Sequence, residues 1–358
     1  MARLKELVRT EVRHLTTMNA SDRMWQMPLA AALASGLPLL IGAYFNHLAY
    51  GLVGSIGGLV FLYLPNTPMH HRMVQVMACA FGLAASYCFG LLCHFVPQLM
   101  VPVLVFISIL VTMITRYFGL GPPGSLFFVM AASIGAFTPV KALDVPLMVG
   151  LMVMGSIVAC LIAFFYSLLV LRVREPAPVK PLPEPTFDFV VFDSIVIGAF
   201  VGIALALAQA LQLDKPYWVP ISCLAVIQGS SLRAVWNKQL QRIIGTVLGL
   251  VVALALLRLP MDQWTISIAI MALTFIIEFT VVRHYALATI FITPLTILLA
   301  EAATLGHAPV WPLIEARFFD TVLGCVVGLI GGACLHSVGF RRVVARMIKG
   351  LMPARFSA

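Results

Sequence analysis

The chain has 358 residues, of which 61% are apolar and only 10% charged, and its formal net charge is +9. Soluble domains carry about 25% charged residues, so this composition excludes a water-soluble globular fold and points to an integral membrane protein. The apolar runs are long and do not alternate, which selects helices over a closed barrel, the only other structure that satisfies every backbone group in lipid.

Residues 1–24 carry Arg3, Lys5, Arg9, Arg13 and Arg23 with no cleavage signal after a short apolar core. Leu4, Leu7, Val8, Val12 and Leu15 recur at helical spacing, so this stretch reads as a cytoplasmic amphipathic N-terminus on the membrane surface. Six apolar segments follow within residues 25–172, at 27–45, 49–64, 73–94, 98–115, 124–137 and 146–171. Residues 173–188, VREPAPVKPLPEPTFD, form a charged Pro-rich linker. Six more segments lie within residues 189–339, at 190–211, 217–228, 240–257, 263–281, 285–301 and 316–338. The basic tail, 340–358, repeats the amphipathic pattern of the N-terminus. An even number of crossings puts both termini on one side. Calling that side cytoplasmic leaves only Lys141, Lys215, Arg258 and Arg317 outside and the other 19 of 23 Lys and Arg inside, as the positive-inside rule requires.

Shifting the second half back by 166 or 167 residues lays Asp188 on Asp22, Tyr217 on Tyr50, Gly249 on Gly82, Arg283 on Arg116, and Pro312-Leu313 on Pro146-Leu147. The expected fold is therefore all-α: a polytopic membrane protein of about 12 transmembrane helices arranged as two parallel six-helix repeats. Six crossings per repeat give both the same orientation, related by an axis along the membrane normal, with a shared substrate path on that axis.

Polar residues in such a chain are few and carry most of the information. Gly245 and Gly249 form G-x-x-x-G, and Gly54/Gly58 and Gly324/Gly328/Gly332 share the spacing, which lets helices approach closely. Arg233 and Lys238 read as anchors in a cytoplasmic elbow after the eighth segment. Arg242 lies inside an apolar run, where it either snorkels or faces an anion path. Arg116 and Arg283 occupy equivalent positions, each followed by aromatics (Tyr117-Phe118 and His284-Tyr285). A guanidinium fork beside a ring suits an aromatic carboxylate, and it suits an interface anchor equally. Glu278 and Asp320 are acids inside spans: either proton carriers or partners of Arg283 and Arg317. Pro294 is expected to break the eleventh segment, and GLGPPG (119–124) its counterpart.

The seven cysteines sit in or beside apolar runs without C-x-x-C and read as small buried hydrophobes. There is no Walker A loop, H-E-x-x-H or G-x-S-x-G, so neither an enzyme nor a cofactor is expected, and no metal. The basic charge suits anionic headgroups; no aromatic-basic face outside the membrane offers nucleic acid a platform.

Tyr217-Trp218-x-Pro220, Gln228, Arg242-x-x-Gly245-Thr246-x-x-Gly249 and Arg283-x-Tyr285 together resemble the fusaric acid resistance (FUSC) family. That family includes bacterial aromatic acid exporters and is related to plant aluminium-activated malate transporters. The resemblance spans about residues 195–300 and weakens in the first half, where Gly51, Phe61 and Gln75 stand for Trp218, Gln228 and Arg242. It implies a multi-pass protein of the bacterial inner membrane that exports small organic anions; on their own chemistry, Glu278 or Asp320 would couple protons to that export. Arg116, Arg242 and Arg283 would draw the anion in, and Tyr217, Trp218, Gln228 and Tyr285 would line its path. The implied partners are the anion, protons, membrane lipids and a periplasmic adaptor subunit. Two other classes stay open: a passive organic-anion channel and a non-transporting scaffold subunit. Many relatives carry a large cytoplasmic domain where this chain has only its linker.

Overall fold

A computed structural model describes residue 20 and residues 23–182, 186–301 and 310–351. The basic stretch 1–19 and residues 302–309 lie outside the described residues. Among those described, every regular element is helical: α1 Gln26–Tyr44, α2 Leu48–Gly58, α3 Met69–Cys93, α4 Met100–Tyr117, α5 Leu126–Phe137, α6 Val145–Val170, α7 Asp193–Ala210, α8 Trp218–Ile227, α9 Leu232–Leu257, α10 Gln263–Thr280, α11 Tyr285–Glu301, α12 Val310–His336 and α13 Val338–Leu351. Eight of these (α1, α3, α4, α6, α7, α9, α10 and α12) are long and apolar enough to cross a membrane. The shorter apolar helices are α2 with its 3-10 extension to Tyr63, α5, α8 and α11.

Several helices begin earlier than the apolar runs. The stretch expected as a cytoplasmic elbow is instead the first turns of α9, and only Gln228–Ser231 separates it from α8. Ser231 caps the helix, its Oγ accepting from the Ala234 N–H at 3.2 Å. Arg, Gln, Lys and Leu are all good helix formers, so the helix continues where the hydropathy stops. Likewise Arg317, expected at the outer start of the twelfth segment, is buried seven residues into α12.

Pro294 does not break α11; the helix runs through it. A proline removes the bond to the carbonyl four residues back, here Ile290. That carbonyl faces α9 at Gly249, where a Cβ would lie only 2.5 Å from the oxygen. Gly245 meets Thr289 in the same way, at 2.6 Å. The G-x-x-x-G thus seats α11 against α9, and Thr289 and Thr293 return their hydroxyls to the α11 backbone.

The described residues form two compact units. The first comprises Met1–Ala84, Lys141–Val179 and Asn237–Thr321, and the second Ala85–Val140, Lys180–Trp236 and Val322–Ala358. The first unit thus holds α1, α2, α6, α10, α11, most of α3 and α9, and the start of α12. Leu39, Leu48 and Leu52 pack there with Ile266, Ile270, Leu273 and Leu298. Gly155 of α6 presses on the Gly54 carbonyl of α2. The second unit holds α4, α5, α7, α8, α13 and the end of α12. Ala204, Ala208, Val219, Cys223 and Val327 form a core there, and Gly324 and Gly328 lie on the α8 backbone near Val219 and Cys223. Each unit therefore combines helices from both halves of the sequence.

Candidate functional site

In the second unit, charge collects where α4 ends and α7 begins. Arg116 in the last turn of α4 donates to Asp193 Oδ2 at 2.7 Å and to the Phe189 carbonyl at 2.9 Å. Its guanidinium lies 4.7 Å from the Phe189 ring. Arg341 of α13 takes the other carboxylate oxygen at 2.9 Å and the Leu335 carbonyl at 3.0 Å, and sits 4.8 Å from the Phe192 ring. Asp193 is thus bonded on both oxygens by charged donors, the strong form of the hydrogen bond. Arg116 already has a carboxylate, one supplied by the chain itself.

The family-like residues of this unit form a second, neutral network. Gln228, at the C-terminal end of α8, donates through Nε2 to Ser125 Oγ at 2.7 Å, and Thr112 of α4 donates to the same oxygen at 3.0 Å. Ser125 starts α5, so one buried hydroxyl ties three helices. Tyr217 accepts from Ser133 on its carbonyl at 3.1 Å and places its ring 6.0 Å from Phe137 and 5.2 Å from Trp218. Trp218 is buried.

The first unit holds the remaining candidates. Arg242, buried on α9, donates to the Tyr285 hydroxyl at 3.2 Å. Two residues before Tyr285, half-buried Arg283 donates to the Phe279 carbonyl at 2.9 Å and lies 3.9 Å from the Phe279 ring. Among the described residues no carboxylate pairs with it. Glu278, buried in α10, binds Arg23 at 3.0 Å rather than Arg283. Asp320 and Arg317 are both buried, three residues apart on α12. Arg116 and Arg283, equivalent in sequence, both lie on a phenylalanine ring, but among the described residues only Arg116 is neutralised by a carboxylate.

Sequence reasoning missed Asp193's two arginines, Arg23's role and Arg72. Arg72 is 1% exposed, and it donates to the Thr67 carbonyl at 2.6 Å, Asn66 Oδ1 at 2.8 Å and Ser167 Oγ at 3.3 Å. One signal was available. At the 167-residue offset, Arg72-x-x-Gln75 aligns with Gln239-x-x-Arg242, so the two halves exchange Arg and Gln at two positions one turn apart.

Residues 198–331 match the family described as fusaric acid resistance protein-like. This second membrane half is FUSC-like. The FUSC-like segment contains Tyr217, Trp218, Gln228, Arg242, Glu278, Arg283, Tyr285 and Asp320, and leaves out Arg116 and the Asp193 cluster. The chain is also similar to the uncharacterized membrane protein YvaC of Bacillus subtilis (strain 168). The two are 22% identical over 461 residues, covering 88% of this chain and 73% of the relative. That alignment is longer than this whole chain, so YvaC carries extra residues within the matched region. No solved structure matches. The chain is a multi-pass membrane protein with a FUSC-like segment at residues 198–331.

Proposed function

We propose that this FUSC-like protein exports small organic carboxylate anions, aromatic ones above all, across a bacterial inner membrane, with both termini cytoplasmic and the proton gradient as the driving force. The observation that carries the reading is Arg283. It is a half-buried arginine at the end of an apolar helix, stacked on Phe279, with no carboxylate partner among the described residues. A guanidinium so placed offers its fork to a carboxylate and its ring neighbour to an aromatic body. Tyr285 and buried Arg242 join in the same unit. Glu278 supplies a route to proton coupling: protonating it removes the negative charge that holds Arg23.

Two parallel repeats are part of this reading. Their support lies in what each unit contains. The first pairs α1, α2 and α6 with α10, α11 and most of α9; the second pairs α7, α8 and the end of α12 with α4, α5 and the end of α3. At the sequence offset α1, α2, α10 and α11 correspond to α7, α8, α4 and α5, while most of α3 and the start of α12 stay in the first unit. The short helices also correspond, α2 with α8 and α5 with α11.

The test is efflux of a panel of aromatic and aliphatic carboxylates from proteoliposomes of the purified chain, with an imposed pH gradient and then with an uncoupler. Uncoupler-sensitive export that Arg283→Ala reduces at least tenfold is expected. Flux indifferent to the gradient and to Glu278→Gln would indicate a channel. No flux of any carboxylate would leave a scaffold subunit and overturn the proposal.

A further inference from the structure

Each compact unit contains one ion pair that joins the start of a helix from one half of the sequence to the end of a helix from the other. In the first unit Arg23, three residues before α1, meets Glu278 near the end of α10 at 3.0 Å. In the second, Asp193 at the start of α7 meets Arg116 near the end of α4 at 2.7 Å. At the sequence offset α1 corresponds to α7 and α4 to α10. The two pairs thus occupy equivalent helix ends with their charges reversed. They do not fall on aligned positions: Arg23 lies about one turn before the position aligned with Asp193, and Glu278 five residues before that of Arg116. The same role is filled by different residues.

We infer that these two pairs are a reciprocal charge code that decides which helix pairs with which. The central close approach of the two contacts does not decide it, because it is shared, although one turn away Gly198 and Ile109 of the second unit correspond to Ala32 and Phe275 of the first. Gly36 of α1 receives the Met271 side chain of α10, and Gly202 of α7 receives the Val105 side chain of α4. Both members of these contacts align at an offset of 166 residues, Gly36 with Gly202 and Val105 with Met271. At that shared seat α1 could dock on α4, which follows it closely in the chain, and α7 on α10. Charge opposes both. Docking within each half would set Arg23 against Arg116, a like-charge contact in partly buried surroundings, and would bring Glu278 to an Asp193 that already shares Arg341 of its own half, leaving two carboxylates on one arginine. The observed docking makes two attractive contacts. Specificity between near-equivalent partners commonly comes from such a repulsive element in the unwanted state, and like charges cost more as solvent is removed. The inference does not depend on what the protein transports.

The test uses the full chain with its native cysteines replaced and Arg341→Ser throughout, since Arg341 also lies on Asp193. Cross-linking of Gly36→Cys with Met271→Cys reports the observed α1–α10 contact, and of Gly36→Cys with Val105→Cys the competing α1–α4 contact. Inverting one pair, Arg116→Asp with Asp193→Arg, preserves an attraction in the second unit yet makes docking within each half attractive as well. The ratio of α1–α10 to α1–α4 cross-link is then expected to fall at least fivefold, with a matching loss of monodisperse protein. Inverting both pairs, by adding Arg23→Glu and Glu278→Arg, restores the discrimination and the parent ratio. A one-pair inversion indistinguishable from the parent, or a two-pair inversion no better than the one-pair, overturns the code.

Discussion

A buried arginine that meets no carboxylate among the described residues places exacting demands on its neighbours. Arg72 spends its donors on a carbonyl, an amide oxygen and a hydroxyl, all neutral. Hydrogen bonds to a charged group are worth roughly 1.5–3 kcal/mol each. A lysine offers a point charge in place of a planar fork and cannot reach all three acceptors. Arg72→Lys is therefore expected to lower stability by roughly 1.5–3 kcal/mol, and Arg72→Met by more, because the Thr67 carbonyl and Asn66 are left without their donor. Thermal unfolding of the purified variants in detergent checks both, and equal stability of Arg72→Lys and wild type would refute the assignment. The sequence half-announces this residue. Its exchange with Gln239 and Gln75 with Arg242 is visible by alignment, but burial is not. Nor does sequence pair Arg116 with Asp193, which lie 77 positions apart, or Glu278 with Arg23, 255 apart. Long-range ion pairs leave no periodicity to read.

Helices, in contrast, are legible wherever hydropathy marks them and illegible where it does not. The lipid-crossing part of each segment is apolar because lipid demands it. The turns that project past it are set by helix propensity and caps, which is why α9 begins at Leu232 and α12 at Val310 rather than at the apolar runs. The start of α10 depends on one such cap. Asp262 accepts from the Thr265 N–H at 2.7 Å and from the Thr265 hydroxyl, and these two donors hold its carboxyl below the ordinary value of 3.8. Because the folded-state value is depressed, the cap contributes fully above the ordinary range. Its contribution is lost only as pH falls through the lowered value. Wild type is expected to unfold at a higher temperature than Asp262→Ala at neutral pH, with the two melting curves converging below about pH 4. Asp262→Asn, as good a cap without a charge, is expected to track wild type at neutral pH and keep its advantage over Asp262→Ala in acid. A gap between wild type and Asp262→Ala that stays constant to pH 3 would exclude the cap as its source.

At the scale of the whole molecule, the repeat in the sequence and the units in the structure divide the chain differently. The repeat divides it in two at the linker. Contacts divide it so that α1, α2 and α6 depend on α10 and α11, while α7 and α8 depend on α4 and α5. A half made alone would lack the surfaces that its own helices cover in the full protein. Gly36 would lose Met271, and Gly198 and Gly202 would lose Ile109 and Val105. Small-residue faces in lipid have no hydrophobic drive to pack on something else; they associate through close van der Waals fit with a shaped partner. Cutting the chain in its Pro-rich linker therefore yields two fragments, 1–180 and 181–358, that are each expected to aggregate or be degraded when expressed singly. Expressed together, they are expected to co-purify at one-to-one stoichiometry with a melting temperature near that of the intact chain, since the linker closes the two halves and adds little packing of its own. Size-exclusion chromatography and quantitative staining of the co-expressed fragments read the outcome. Two fragments that each run as stable, monodisperse six-helix proteins would mean that the halves complete their own cores, and the exchange of helices between them would then be unnecessary for folding.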